Sequence, residues 1–476
     1  MLTLEHLVAL TPLILIGAAA VTVMLGIAWR RHHAATALTT GMGVILALLA
    51  MVLVTGMGDV ETPLLVVDGP GRFSTALILA STLVITLLAY PYLEGHEGAR
   101  EEFYLLLLCA VGGAMTLVSA RHLATLFLGV ELLSMPLYGM VAYRFRESVS
   151  LEAGIKYLVL SAAATAFLLF GMALLYARTG ELELAALATA LAGNRDAWVL
   201  AGAALMIIGL GFKLSLVPFH LWTPDVYQGS PAPTAVFLAT VSKLAVFVVL
   251  LRLVMAAPLF HGDWLQPVLA ALALLSMLAG NLLALFQNNL KRLLGFSSIA
   301  HFGYLLVALV VASELATETT GVYLLTYIVT TLAVFGVVTV LASPCSGEDS
   351  ADLADYRGLF WRRPWLAGVL TLGLLSLAGI PPTAGFIGKF YVIALTVEAG
   401  SWWLAGGIVL GSAIGLYYYL RVLVALYLPG EESRGAEHGV RERSSHGGVA
   451  ALIVLAALII LLGVYPSPMI EWAGSL

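Results

Sequence analysis

Long apolar runs alternate with short polar connections along the whole chain. A helix needs about 20 mostly apolar residues to cross a bilayer, and by this rule the sequence predicts about 14 membrane-spanning segments. The longest polar connections, residues 343–363 and 429–446, are too short to fold as separate soluble domains. We therefore predict an all-α polytopic membrane protein that forms a single transmembrane domain over residues 1–476.

Two of the predicted segments are interrupted by proline. The seventh contains Pro218 within GLGFKLSLVPFHLWTPD, and the twelfth contains Pro381 and Pro382 within SLAGIPPTAGFIGKFYV. Proline inside a helix removes a backbone hydrogen bond and breaks the helix. Freed backbone at membrane depth is tolerated only against protein or a water-filled cavity. Paired broken helices are typical of the ion sites of transporters with internal repeats.

Each of the two breaks lies in a different group of five predicted helices. We predict three N-terminal helices in residues 1–99, a first repeat of five helices in residues 100–257, a second repeat of five helices in residues 258–428, and a last helix in residues 446–470. Lys213 precedes its break, whereas Lys389 follows the other break. This opposite order favours two inverted repeats, each containing one broken helix.

Basic residues are concentrated in alternate connections. The odd-numbered connections hold 13 Lys and Arg residues, whereas the even-numbered connections and their flanking helix ends hold 5. Cytoplasmic connections of membrane proteins carry the excess of Lys and Arg. We therefore expect the odd-numbered connections in the cytoplasm and both termini on the other side of the membrane.

The composition supports a membrane protein without a redox centre. The chain is 61% hydrophobic and 11% charged, compared with about 25% charged residues in soluble domains. Cys109 and Cys345 lie far apart without C-x-x-C spacing, so they predict no disulfide framework, zinc site or iron–sulfur ligation. The sequence also lacks a dinucleotide-binding glycine motif and a Walker loop. We expect no cofactor, metal or nucleic acid to bind this chain.

Four ionisable side chains stand alone within apolar segments: Glu131, Lys213, Lys243 and Lys389. A charge at the centre of a spanning helix costs roughly 2.5–3.5 kcal/mol, and such residues typically mark an ion or proton path. Three of the 5 lysines of the chain belong to this set. The alternatives are static buried ion pairs for Glu131, Lys213 and Lys243, and a lysine that snorkels to the membrane surface for Lys389.

Glu131 and Lys213 are predicted to act as a pair. A buried lysine tends to lose its proton, whereas a nearby carboxylate holds the proton on. A pair that opens and closes would therefore load and release protons. Ser134 and Tyr138 follow Glu131 at helical spacing and share its face.

Several other polar residues are candidates for the relay or for the lining of a channel. Ser298, His301 and Tyr304 share one face of the tenth segment, and Tyr327 belongs to a stripe of Tyr and Thr on the eleventh. A neutral or protonated histidine suits a proton relay, although a hydrogen-bonded core histidine is the alternative. Packing within the core is likewise the alternative for the tyrosines.

Three further expectations concern the ends and breaks of the helices. Lys156 begins the sixth segment and is either part of the relay or a residue of the cytoplasmic interface. His220, just after Pro218, is expected at the cavity beside the break. Gly385 and Gly388 have no side chains to cover the helix of Lys389, so we expect water to reach this helix.

Long runs of the sequence resemble a known family. GFKLSLVPFHLWTPDVYQGSPAPTAVFLATVSKLAVF closely resembles the signature of the antiporter-like subunits of proton-pumping NADH:quinone oxidoreductase, as do NNLKRLLGFSSIAHFGYLLVAL and LAGIPPTAGFIGKFYV. The chain is most similar to the subunit N (subunit 2) family. It ends after the fourteenth predicted helix, it has Lys389 where subunit M carries a glutamate, and it contains the matching stretch GIKYLVLSAAATAFLLFG.

The resemblance implies a role for each buried ionisable residue. Glu131 would modulate Lys213, the central proton acceptor. Lys243 would link two half-channels, Lys389 would be the terminal lysine near the exit, and His301 would lie on the hydrated axis between them.

The resemblance also implies where the chain works and with what. NADH oxidation, FMN, iron–sulfur clusters and quinone reduction would reside on partner subunits. The neighbours would be antiporter-like and small membrane subunits of respiratory complex I in the bacterial plasma (inner) membrane, with both termini periplasmic.

Three alternatives remain at this point. Cation/proton antiporter subunits of the Mrp type and membrane subunits of energy-conserving hydrogenases share broken helices and buried lysines. A third alternative is a structural spacer with frozen charges, but an apolar spacer without buried ion pairs would be more stable.

Overall fold

The computed structural model describes residues 3–94, 98–191, 196–256, 264–342, 349, 351–429 and 446–474. This part of the chain is helical apart from short connections and one antiparallel hairpin, β1 (Val60–Glu61) with β2 (Val66–Val67). The first half contains the helices α1 (Leu4–Ala9), α2 (Thr11–Trp29), α3 (His33–Thr55), α4 (Gly69–Glu94), α5 (Glu101–Val118), α6 (Leu123–Val141), α7 (Ser148–Thr179), α8 (Leu184–Leu191), α9 (Ala197–Leu214), α10 (Trp222–Gly229), α11 (Ala232–Phe237) and α12 (Lys243–Ala256).

The second half continues with the same architecture. It contains α13 (Leu265–Ala284), α14 (Leu290–Val311), α15 (Glu314–Leu341), α16 (Leu359–Arg362), α17 (Pro364–Ala378), α18 (Ala384–Glu398), α19 (Trp402–Tyr427), α20 (His446–Val464) and α21 (Ser467–Gly474). In the described part of the chain, 13 helices are long and apolar enough to cross a membrane. The broken pair α17 and α18 supplies one more crossing, so the predicted polytopic all-α fold is confirmed.

Two sets of five crossings follow the same order. In the first set α5, α6 and α7 precede the broken helix α9–α10, and α11–α12 closes the set. In the second set α13, α14 and α15 precede the broken helix α17–α18, and α19 closes it. Because five crossings separate their starts, α5 and α13 begin at opposite faces of the membrane. The predicted division between the repeats, at residues 257 and 258, lies outside the described residues.

Both ends of the described chain lie at the face that carries the even-numbered connections. Helix α1 packs against β1, which belongs to the second connection. Near the other end, the ring of Trp472 in α21 lies 4.4 Å from that of Phe73 in the first turn of α4. At the same face, Arg121 of the fourth connection forms ion pairs with Glu61 and Glu183. We call this the even face and the opposite one the odd face.

One basic residue of the odd connections is not a surface residue. Lys291 lies in the first turn of α14 and is completely buried, although it was counted with the loops from the sequence. Four other counted residues, Arg195, Arg434, Arg441 and Arg443, lie outside the described residues, and so does Cys345.

Candidate functional site

The first predicted break lies where α9 gives way to α10. Helix α9 ends at Leu214, and Ser215 at its end adopts a left-handed conformation with φ of 64°. Pro218 lies in the non-helical residues before α10. The indole of Trp222 donates to the Phe212 carbonyl at 2.9 Å, which also accepts from the backbone N–H of Ser215 at the end of α9. The predicted break at Pro218 is therefore present.

Lys213 lies in the last turn of α9, directly before the break, as the sequence predicted. Its side chain is buried, and its Nζ donates to Ser134 Oγ at 2.5 Å and to Ser161 Oγ at 2.6 Å. Tyr138 Oη lies 2.8 Å from the same Ser161 hydroxyl. Helix carbonyl ends carry partial negative charge, which favours a cation there. The ammonium group is thus held by two serine hydroxyls.

Glu131 is separate from Lys213 in this structure. Its Oε1 is buried without a hydrogen-bond partner among the described residues, and no Glu131–Lys213 ion pair occurs among them. The carboxylate nevertheless interacts electrostatically with Lys213, whose ammonium group donates to Ser134 on the same helix as Glu131. In this arrangement the lysine is bound to hydroxyls and not to the carboxylate.

Lys243 occupies a distortion in its helix. The π-helical turn Leu238–Ser242 ends directly before it, between α11 and α12. Such turns insert one residue into the helix and often occur at functional sites. Lys243 is completely buried, donates to Ser298 Oγ at 2.8 Å, and lies 5.0 Å from the ring centre of Phe302.

Hydroxyl groups and His301 continue from Lys243 into the second repeat. Ser298 Oγ lies 2.7 Å from Tyr327 Oη. His301 Nδ1 lies 2.8 Å from Tyr323 Oη, and Nε2 lies 3.2 Å from Tyr419 Oη. The His301 and Tyr327 rings are 5.4 Å apart, so the two sets of hydrogen bonds are neighbours.

The second predicted break separates α17 from α18. Gly379 ends α17 with φ of 82°, and Pro381 and Pro382 lie in the residues before α18. Lys389 is buried, so it does not snorkel to the surface. Its Nζ reaches back across the break to the Ala378 carbonyl at 2.9 Å.

Tyr304 is the aromatic neighbour of Lys389. Its ring centre lies 5.5 Å from the ammonium group, at a distance that suits a cation–π interaction. The hydroxyl of Tyr304 accepts a hydrogen bond from Asn281 Nδ2 at 2.8 Å, and Tyr418 Oη donates to Asn281 Oδ1 at 3.1 Å. Asn281 was not among the predicted residues, because an amide within an apolar run of α13 is a weak signal.

The glycines of α18 serve close packing more than hydration. A Cβ on Gly385 would lie 1.9 Å from the Ser376 carbonyl oxygen, and one on Gly388 would lie 2.6 Å from Thr326 Oγ1. The expected thin covering is therefore wrong for Gly388. Gly385 also borders a small cavity lined by His301 and Tyr327.

Two predicted candidates lie apart from this line of contacts. Lys156 is 41% exposed and forms ion pairs with Glu152 at 2.7 Å and Asp225 at 2.8 Å. His220 is buried beside the break, and its Nδ1 has no hydrogen-bond partner within the described part of the chain. Lys156 thus belongs to a surface ion network, as its alternative interpretation proposed.

The buried groups form a discontinuous polar line across the molecule. It passes from Lys213 through Lys243 and Ser298 to His301 and Lys389. The hydrogen-bond partners of the three ammonium groups are uncharged hydroxyls and a carbonyl. In the ranges that the structure describes, no three His, Cys, Asp or Glu side chains are grouped to hold a metal ion.

Two broken helices with a buried lysine at each define an ion-transporting membrane protein of the antiporter-like class. The sequence pattern of the family described as NADH:quinone oxidoreductase/Mrp antiporter, TM, matches residues 120–415. The chain belongs to this family. It is 63% identical over 473 residues to NADH-quinone oxidoreductase subunit N of Chromohalobacter salexigens, and the match covers 98% of each chain.

Solved structures give the same architecture. A chain of respiratory complex I from Thermus thermophilus with bound aureothin is 35% identical, with a TM-score of 0.83 over 97% of this chain and 98% of that one. A chain of the Mrp complex from a Dietzia species has a TM-score of 0.86 over 100% of this chain and 97% of that one. At 21% identity, this second likeness concerns the fold alone.

Proposed function

We propose that this chain is a proton-translocating membrane-arm subunit of NADH:quinone oxidoreductase. The observation that carries the proposal is the buried line from Lys213 to Lys389, in a chain that matches a subunit N over 98% of its length. The subunit couples electron transfer from NADH to quinone, which takes place on other subunits, to proton movement across the membrane.

Glu131 and Lys213 act as the loading pair of the first repeat. Lys213 on its two serines is the state that can give up its proton, and Lys213 against Glu131 is the state that retains it. Moving one charge against about 150 mV costs roughly 3.5 kcal/mol. A switch between a hydroxyl and a carboxylate partner for a buried lysine has an energy of this order.

Lys243 connects the two repeats. Its ammonium group donates to Ser298, and that hydroxyl also meets Tyr327 in the second repeat. His301 continues the path, because each of its ring nitrogens meets a tyrosine hydroxyl. Small side-chain movements or single waters would close the remaining gaps between these groups.

Lys389 is the terminal carrier of the second repeat. Its ammonium group rests on the Ala378 carbonyl at the end of α17 and over the ring of Tyr304. These partners bear no full charge, so the proton of Lys389 can leave once the amine is hydrated. His220 and Tyr304 line the two breaks, whereas Lys156 helps to anchor the odd face.

The reaction chemistry of the assembly belongs to its other subunits. NADH, FMN, iron–sulfur clusters and quinone are bound there, and this chain supplies the proton path. Its neighbours are other antiporter-like and small membrane subunits of the complex. The chain spans a bacterial plasma membrane, with the odd face cytoplasmic and both termini periplasmic, because the odd connections carry the excess of basic residues.

The test uses inside-out membrane vesicles that carry Lys213→Ala in the assembled complex. NADH-driven quinone reduction and acidification of the vesicle lumen are recorded together. We expect both to fall at least about tenfold, as expected when a proton-transferring group is lost. Unchanged NADH-driven rates with a loss of sodium/proton exchange would instead identify a Mrp-type antiporter subunit.

A further inference from the structure

A second buried ion cluster lies at the odd face, outside the lysine line. Lys291 Nζ donates to Asp349 Oδ2 at 2.8 Å, and the exposed fractions of the two side chains are 0% and 3%. The other carboxylate oxygen accepts from Tyr92 Oη at 2.9 Å and from Arg144 Nη1 at 3.2 Å. Asp349 therefore connects α4, the connection before α7 and the first turn of α14.

Asp349 is held in its charged form. Burial by itself raises the pKa of this carboxyl, but the positive charges of Lys291 and Arg144 outweigh burial and hold the pKa below its ordinary value. Two cations and a phenol thus share one carboxylate. These buried charges are stable only while all the partners stay in place, because the loss of one partner leaves an uncompensated buried charge.

Lys291 has one more contact, which links the cluster to Lys243. Its Nζ also donates to the Ser230 carbonyl at 2.7 Å. Ser230 ends α10 and immediately precedes the chain that forms α11, the π-helical turn and Lys243. Lys291 is the second residue of α14, and Ser298 follows it by about two turns of that helix. One ammonium group therefore ties together the two helices that meet again at the Lys243–Ser298 hydrogen bond.

We propose that Lys291 and Asp349 are positioning residues that hold α11 against α14 so that Lys243 meets Ser298. The inference rests on the proposed function, because it assigns a use to the bridge between the two repeats. Neither side chain contacts the buried line directly. They act by holding in place the helices that carry Lys243 and Ser298.

The test compares two aspartates of the same connection in the assembled complex. Asp349→Asn removes the shared charge without changing the size of the side chain. Asp355→Asn is the matched control, because Asp355 is exposed in the residues just beyond. We expect Asp349→Asn to lower coupled quinone reduction several-fold at an unchanged amount of assembled complex, and Asp355→Asn to have no effect.

A double-mutant cycle separates positioning from general support of the fold. If Asp349 acts through the Lys243–Ser298 contact, the double variant Asp349→Asn with Ser298→Ala is no slower than the slower single variant. If the two substitutions lower turnover independently, so that their effects multiply in the double variant, the proposal is overturned. Equal activity of Asp349→Asn and Asp355→Asn would also overturn it. If Asp349→Asn does not assemble, Tyr92→Phe removes one hydrogen bond to the same carboxylate and enters the same cycle.

Lys243→Ala distinguishes this inference from the proposed function. If Lys243→Ala leaves coupled activity intact, the proton path itself is contradicted. If Lys243→Ala abolishes coupled activity while Asp349→Asn behaves like Asp355→Asn, only the positioning role is contradicted.

Discussion

The two broken helices hold their lysines at the same kind of place by different means. Lys213 precedes its break and lies in the last turn of α9. Lys389 follows its break, but its side chain reaches back to the last carbonyl of α17. Each lysine is therefore associated with the carbonyl end of a first half-helix, where the helix dipole favours a cation, but only Lys389 donates to a carbonyl there. The ammonium group of Lys213 donates instead to the hydroxyls of Ser134 and Ser161.

The difference between the repeats is the carboxylate. Glu131 in α6 acts electrostatically on Lys213, whereas the corresponding ninth position of α14 is Ser298, which binds Lys243. In the proposed mechanism, pairing with Glu131 lets the first repeat retain a proton on Lys213. In the second repeat, the partners of Lys389 are the Ala378 carbonyl and the ring of Tyr304, which bear no full charge and therefore favour its protonated form less strongly. We infer that loading takes place in the first repeat and conduction in the second.

Removing the carboxylate should have the largest effect among the tests of this comparison. Glu131→Gln makes the first repeat resemble the second, so Lys213 loses the partner that retains its proton. We expect a loss of about tenfold or more in NADH-driven acidification. Glu398→Gln is the matched control, since it makes the same change at an exposed glutamate at the end of α18 in the second repeat. Equal activity of the two variants would refute a loading role for Glu131.

At the second break, Gly379 leaves space for Lys389 that the side chain of another residue would occupy. Gly379 has φ of 82°, and a Cβ there would lie 2.7 Å from Lys389 Cδ. Gly400 has φ of 67° with no neighbour within 4 Å of such a Cβ. Gly379→Ala should therefore reduce coupled quinone reduction several-fold, because it displaces Lys389. Gly400→Ala introduces a similar backbone strain of about 1 kcal/mol but should keep the activity. Similar losses in both variants would assign the effect to strain alone.

Arg252 in α12 and Arg421 in α19 stabilise the fold through two different kinds of contact. Arg252 binds both carboxylate oxygens of Asp68 at 2.6 Å, whereas Arg421 donates to the backbone carbonyls of Leu285 and Gln287. Burial raises the pKa of Asp68, but Arg252 outweighs it and holds the pKa below its ordinary value. The Arg252 pair therefore contributes stability that is present at neutral pH and is lost as the pH falls through this lowered pKa.

Substitution of each arginine should reveal that difference. Arg252→Gln should cost about 1–3 kcal/mol near neutral pH, and the cost should shrink under acidic conditions as Asp68 is protonated. Arg421→Gln should show a cost that does not change over the same range, because its acceptors do not titrate. Thermal unfolding of the detergent-solubilised complex at several pH values measures both. A pH-independent cost for Arg252→Gln would contradict the assigned role of Asp68.

The smallest expected effect concerns the first break. Ser215 is a non-glycine residue with positive φ, and its hydroxyl accepts from Thr223 Oγ1 at 2.5 Å. Ser215→Ala keeps the backbone strain but loses this bond, which should lower stability by about 1 kcal/mol. Ser215→Gly loses the bond but relieves the strain, so it should be the milder change. A reversed order in thermal unfolding would contradict this account of the break.

The breaks and the buried lysines were predictable because their signals are local. Proline within an apolar run predicts a broken helix at Pro218 and Pro382, and a lone charge predicts a functional position at Lys213 and Lys389. Family resemblance added the role expected of each buried ionisable residue. The π-helical turn before Lys243 carries no such local signal, since LATVS is an ordinary helical sequence.

The contacts between distant segments were not predictable in the same way. Lys291 is followed by Arg292 and precedes an apolar run, so it reads as an interfacial residue. Its carboxylate partner is 58 positions away, and only the packing of α14 brings them together. For Lys156 the sequence left both a relay role and an interfacial position open, and only the distant partner Asp225 favours the interfacial position.

The most direct test of a single path through both repeats compares Lys213→Ala with Lys389→Ala in the assembled complex. Inside-out vesicles report NADH-driven quinone reduction and lumen acidification for each variant at equal complex content. A continuous path predicts that Lys389→Ala lowers acidification as far as Lys213→Ala does. If Lys389→Ala retains normal acidification while Lys213→Ala loses it, the path does not run through the second repeat and the account is wrong.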